Sequence, residues 1–160
     1  MKQAIVGGVV LAGLVAAWTL VMGITGWYAD PVLSNAFFAV VLIQIVVLIV
    51  LLARTRAERS WFGQVGVGTL ASLVAAVLVF GNSILFTTVL FPEYFDELRA
   101  VQERMLREQG LDEARIQAEI AATAAMQTPF VQAFAGFAGT LLTGIVVSIV
   151  AGLFLREKKR

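Results

Sequence analysis

The chain contains no cysteine and no histidine, and only three of its 160 residues are proline. Without cysteine there is no disulfide and no thiol nucleophile; without histidine there is no imidazole base and none of the usual zinc ligand sets. Charge is scarce as well. Charged residues make up 14% of the chain and hydrophobic ones 59%, whereas an ordinary soluble domain carries about 25% charged residues. Strict apolar–polar alternation, which would mark the strands of a membrane barrel, is absent too.

What the chain has instead is four long apolar runs, residues 4–28, 32–53, 64–91 and 130–155. Each exceeds the ~20 residues with which a helix crosses a ~30 Å hydrocarbon core. A bilayer offers no water to backbone N–H and C=O groups, so runs of this length are expected to be helices. The predicted fold class is an all-α membrane protein, one domain over residues 1–160. Four transmembrane helices carry an extracytoplasmic helical hairpin, residues 92–128, between the third and the fourth. The first run follows a single basic residue, Lys2, and is far longer than the ~7–15 apolar residues of a secretory signal. It is expected to stay, paired with the second run across Asp30-Pro31.

Charge sets the orientation. Lys2 precedes the first run, Arg54, Arg56 and Arg59 fill the link between the second and third, and Arg156, Lys158, Lys159 and Arg160 close the chain. The segment Glu93–Gln127 carries eight acids against four arginines. Short basic segments stay in the cytoplasm, so both termini are predicted inside and the acidic segment outside. Trp27, Tyr28, Phe91, Tyr94 and Phe95 then fall at the outer boundary, and Trp61 and Phe62 at the inner one. The basic clusters read as topology anchors in preference to anionic-lipid sites, which call for about four to eight lysines or arginines beside a span.

Inside the acidic segment, Pro92 cannot continue the third helix but suits the first turn of a new one. Glu93, Asp96 and Glu97 follow near the positive end of that helix. Gly110 is placed to stop it, and Asp112 to cap another. Thr128-Pro129 opens the last span as a cap and first turn, as Asp30-Pro31 opens the second. The three acids share a helix face and could in principle bind a hard cation. The plainer reading is an acidic, solvated face that suits the helix dipole, and neither metal nor cofactor is expected.

Small residues mark where helices approach. Gly68, Ala71, Ala75, Leu78 and Asn82 follow alternating steps of three and four along the third run, and Asn82 is expected to face protein. Gly136, Thr140, Gly144, Ser148 and Gly152 recur every fourth residue in the last run, a continuous ridge for close van der Waals contact. Gly8, Ala12 and Ala16 form a shorter version in the first. The second run, "VVLIQIVVLIVLL", has no glycine and only Gln44 as a polar interruption, so it is expected at the periphery. The ridge of the last helix is expected to pack within one chain in preference to between chains.

The chain resembles the bacterial membrane family catalogued as domain of unknown function number 4199. The resemblance is carried by "WFGQ" at Trp61–Gln64, Asn82 with Pro92, "REQGLDEARIQ" at Arg107–Gln117, and Thr128-Pro129. It implies four spans in the bacterial cytoplasmic (inner) membrane with an acidic helical segment between spans three and four, and it implies no activity. The expected function is therefore that of a structural or accessory protein, embedded in lipid and associating with a membrane protein partner or with itself. The alternative is a homo-oligomeric passive pore lined by Asn82, Gln44 or the threonines of the last span. Proton coupling is disfavoured because the apolar cores hold no titratable Asp, Glu, Lys or Arg. No enzyme is expected, since no spacing of groups specifies a substrate, and no nucleic-acid binding either, since the basic segments are short.

Overall fold

A computed structural model describes residues 1–55 and 60–155. Arg56, Arg59, Arg156, Lys158, Lys159 and Arg160, on which the orientation leans, lie outside the described residues. Six α-helices follow in order: α1 (Lys2–Thr25), α2 (Ala39–Thr55), α3 (Trp61–Leu85), α4 (Tyr94–Glu108), α5 (Glu113–Ala124) and α6 (Pro129–Leu155). The described residues contain no strand. Four helical segments are long and apolar enough to cross a bilayer: Lys2–Thr25, Leu33–Thr55, Trp61–Leu90 and Pro129–Leu155.

Local chemistry sets the boundaries. Gly26 ends α1 in the left-handed conformation at φ 70°, where its N–H returns to Gly23 and Met22 carbonyls. Glycine reaches that region without a Cβ penalty, so the helix stops short of the expected residue 28. Asp30 caps the next segment, its Oδ1 accepting from the Val32 and Leu33 N–H groups at 2.8 Å each. The first turns of that segment, Leu33–Phe38, are 3₁₀ and give way to α-helix at Ala39. At the end of α3 the backbone widens into a π-turn, Phe86–Leu90, closed by the Phe91 N–H on the Phe86 carbonyl at 2.8 Å just before Pro92. Gly110 at φ 77° stops α4, Asp112 Oδ1 caps α5 through the Arg115 N–H at 2.8 Å, and Thr128 Oγ1 caps α6 through the Val131 N–H at 3.3 Å.

The four long helices stand in a ring in the order α1, α3, α6, α2, with the tightest packing between α3 and α6. The pairs α1–α3 and α2–α6 run parallel; α3–α6 and α1–α2 run antiparallel. The outside of the ring is apolar and its inside holds polar groups. Large apolar side chains such as Leu42, Phe62, Val77, Leu142 and Phe154 point outward, while Gln44, Gln64, Ser72, Thr140 and Ser148 are buried inside.

The expected glycine ridge of α6 is spent within the chain. Gly68 lies opposite Ser148, and Gly144 opposite Ser72: a Cβ on Gly68 would come within 2.7 Å of the Ser148 Cβ, and one on Gly144 would overlap the Ser72 side chain. One further contact extends the seam each way, Gly136 against Val79 at 3.5 Å and Gly152 against Trp61 at 3.2 Å. Hydroxyl faces hydrogen, so two backbones approach as side chains of ordinary size would forbid. On the other flank of α3, Gly8 sits against Ala71 and Val74, and Leu11, Ala12 and Val15 pack on Ala75 and Val79.

One expectation needs correction. The seam on α3 is not one line: Gly68 faces α6, whereas Ala71, Ala75 and Asn82 face α1, and Leu78 is exposed to the surroundings. A step of three residues turns a 3.6-residue helix by about 300°, so Gly68 and Ala71 stand about 60° apart and meet different neighbours. The second helix is the least buried of the four, as its expected peripheral place requires, and its Gln44 reaches the backbone of α6.

Candidate functional site

The end of the bundle that carries α4 and α5 is not packed solid. Between the four long helices lies a cavity of about 430 Å³, within the ~300–1,000 Å³ of small-molecule sites. Val15, Thr19 and Met22 of α1 and Val79, Asn82 and Ser83 of α3 form one side. Gln44, Val40 and Val41 of α2 and Gly136, Thr140 and Thr143 of α6 form the other. Toward the far end the axis is filled by Leu11, Leu48, Leu52, Ala71 and Ala75, each 0% exposed. Beyond these, Gln64 is fully buried and accepts a hydrogen bond from Thr55 Oγ1 at 3.3 Å. Among the described residues the cavity is blind at that end.

Its roof is aromatic. Tyr28, held in the 3₁₀ turn Trp27–Ala29 after Gly26, stands 4.9 Å from Tyr94 between ring centroids, and Phe86 stands 5.6 Å from Tyr94. The Phe86 and Phe91 rings lie 4.6 Å apart between centroids, tilted by 37°. Gly23 makes room for them, since a Cβ there would meet Phe86 at 2.9 Å. Two polar links fasten α4 across this roof: the Tyr28 hydroxyl donates to Glu97 Oε2, and Gln132 Nε2 donates to the Tyr94 hydroxyl at 3.2 Å. Burial first, and the Glu97 carboxylate second, push the Tyr28 phenol up to about 12; burial also raises Tyr94. Both phenols stay neutral at physiological pH. Behind the roof α4 and α5 are joined by Gln102, whose Nε2 donates to Thr123 Oγ1 at 3.2 Å and whose Oε1 accepts from Gln127 at 3.0 Å.

Of the residues singled out in the sequence, Tyr28, Gln44, Asn82, Tyr94, Gly136 and Thr140 line the cavity. Gly68, Ala71, Ala75, Gly144, Ser148 and Gly152 lie in the packed helix contacts below it and contribute nothing to its wall. Asn82 serves twice: its Nδ2 donates to Thr19 Oγ1 on α1 at 3.3 Å while the side chain borders the cavity. Gln44, 2% exposed, donates through Nε2 to the Thr140 carbonyl. The pairings Gln44–Thr140, Tyr28–Glu97 and Gln132–Tyr94 join elements 38 to 96 residues apart in sequence, and no local spacing signals them. The lone Gln44 in an unbroken apolar run was the one available sign.

The acids Glu93, Asp96 and Glu97 do not converge on a common point. Asp96 pairs with Arg99 on the helix surface and Glu97 accepts from Tyr28; among the described residues no group of three or more acids is placed to hold a metal ion. The lining is thus a set of neutral hydrogen-bonding groups in an apolar wall. Such a wall can bind and orient an uncharged molecule.

Searches of curated proteins and of solved structures found no match to the chain. One family does match: the proteins of unknown function DUF4199, over residues 7–157. That match covers nearly the whole chain, and the chain belongs to this family.

Proposed function

We propose that the protein is a non-catalytic accessory protein of the bacterial cytoplasmic membrane that works by binding. Its termini would lie in the cytoplasm, as Lys2 and Arg54 at one end and the acidic segment at the other favour. The helices α4 and α5 would then form an extracytoplasmic hairpin over the cavity. The observation that carries this reading is the roofed cavity, which holds neutral polar groups and is closed at the end away from α4 and α5 by fully buried leucines. The same closure works against a conduit through one protomer. The small-residue ridge of α6 is occupied by α3, so a protein partner or a second copy would meet the outward hairpin instead.

Native mass spectrometry of the chain, drawn gently from its own membrane, tests the proposal. A non-protein mass retained at one per chain is the expected result, with or without a partner protein at fixed stoichiometry. A bare chain under conditions that preserve known lipid adducts on a control protein would refute it.

A further inference from the structure

The cavity has a side door. Its lining residues on α1 and α3 are buried or half-buried, whereas Phe37 in the 3₁₀ turns before α2, Val41 on α2, and Ala135 and Gly139 on α6 are exposed. The opening therefore lies between α2 and α6, at the end nearer α4, in the part of the wall that would face lipid tails. Small residues hold it open: a Cβ on Gly139 would meet nothing within 4 Å. What enters by that route must be soluble in hydrocarbon.

Polar capacity waits inside. Thr19, Thr55, Thr87 and Ser148 return their hydroxyls to carbonyls one turn back in their own helices. Ser83, Thr140 and Thr143, which line the cavity, make no such bond among the described residues. Gln44 gives its Nε2–H to the Thr140 carbonyl, and its Oε1 accepts nothing from the described protein. Asn82 likewise spends its Nδ2 on Thr19, and its Oδ1 accepts nothing from the described residues. Unspent groups in an apolar wall cost free energy unless a guest or water meets them. No lining residue is a carboxylate, a lysine or an arginine. Across the roof stands the Glu97 carboxylate, held by Tyr28, which would repel an anionic guest.

Resting on the binding reading above, we infer that the cavity takes a neutral single-chain amphiphile from the adjoining leaflet. Its uncharged hydroxyl or carbonyl head sits among Gln44, Asn82 and Thr140, and its chain leaves between α2 and α6 into the bilayer. The cavity's 430 Å³ falls in the lower half of the ~300–1,000 Å³ typical of ligand sites. That accommodates a small head and the first part of one chain, and not a phosphate with two acyl chains.

The test uses the full chain in detergent, with monoolein as probe and native mass spectrometry and competition as readouts. Monoolein should bind saturably at one per chain. Oleoyl lysophosphatidylglycerol, with the same chain and an anionic head, should bind at least tenfold more weakly. Gly139→Leu should weaken monoolein binding at least tenfold at an unchanged melting temperature, because the added side chain enters open space. Val41→Trp closes the same gap from α2 and should do likewise; Gln44→Leu should weaken binding with the door left open. Absence of a one-to-one complex on folded wild-type chain would overturn the inference, as would equal affinity for the anionic probe. Undiminished binding in both door variants would overturn the entry route. A bound molecule found on protein from its own membrane that monoolein cannot displace would leave the binding reading standing and remove this one.

Discussion

The contact between α3 and α6 can be tested by exchanging its two partners. Gly144 lies opposite Ser72, and a Cβ on Gly144 would overlap Ser72 Oγ and Cβ. Neither helix can yield locally, because Ser72 is itself fully buried and the next turn repeats the arrangement with Gly68 and Ser148. Extra atoms in a packed interior cost about 1–3 kcal/mol. Against this, replacing a helical glycine by alanine returns about 0.5–1 kcal/mol of backbone entropy. Gly144→Ala should therefore destabilise by roughly 0.5–2 kcal/mol net, and Gly144→Leu by more. Gly66→Ala and Gly13→Ala, where a Cβ would meet nothing within 4 Å, should be neutral or stabilising in the same host. The decisive variant is the exchange Ser72→Gly with Gly144→Ser, which restores a hydroxyl opposite a hydrogen. It should recover most of the loss from Gly144→Ser alone, with a coupling of about 1 kcal/mol or more, within the range seen for residues in contact. Equilibrium unfolding in mixed micelles gives all four corners of the cycle. A coupling indistinguishable from zero, or a Gly144→Leu chain as stable as wild type, would refute the reasoning.

Other outcomes follow from single contacts. Ser72 Oγ is buried without a hydrogen-bond partner among the described residues, so Ser72→Ala should be neutral or stabilising in the same unfolding assay, whereas Ser148→Ala forfeits the 2.6 Å bond to the Gly144 carbonyl and should be the costlier of the two. Asn82→Leu removes the link to Thr19 and should cost about 0.6 kcal/mol, at most ~2, as interhelical hydrogen bonds in membranes do; a larger loss would mean that Asn82 holds more than Thr19. With Tyr28 pushed up to about 12 and Tyr94 also raised, tyrosinate absorbance should stay absent as pH passes the ordinary value near 10. Because the folded value exceeds the unfolded one, the contribution of Tyr28 is complete below pH ~10 and lost as pH climbs toward 12; a tyrosine titrating near 10 in the folded chain would contradict the roof geometry. The chain has no cysteine, so a single Gly110→Cys variant reports orientation cleanly. An impermeant maleimide should label it on intact cells, and labelling only after lysis would reverse the topology.

The four long apolar helices were legible because length and apolarity are written residue by residue, and caps such as Asp112 and Thr128 act within one turn of their own helix. The ridge on α6 was legible for the same reason, since a four-residue repeat of small side chains is a local pattern. The cavity was not. It arises where Gln44 of α2, Asn82 of α3 and Thr140 of α6 are brought together by a ring order that puts α2 beside α6 and α1 beside α3, and no spacing along the chain encodes that order. Gly23 and Gly26 show the same divide. Each reads as one more small residue in an apolar run, yet one admits the roof phenylalanines and the other turns the chain so that Tyr28 can meet α4.

The measurement that bears most directly on the binding reading is a high-resolution structure of the protein held in lipid from its own membrane. Elongated density running from the gap between α2 and α6 to Gln44 and Asn82, under the Tyr28–Tyr94 roof, is the predicted result. A cavity holding only water, or one closed by its own side chains, would contradict it.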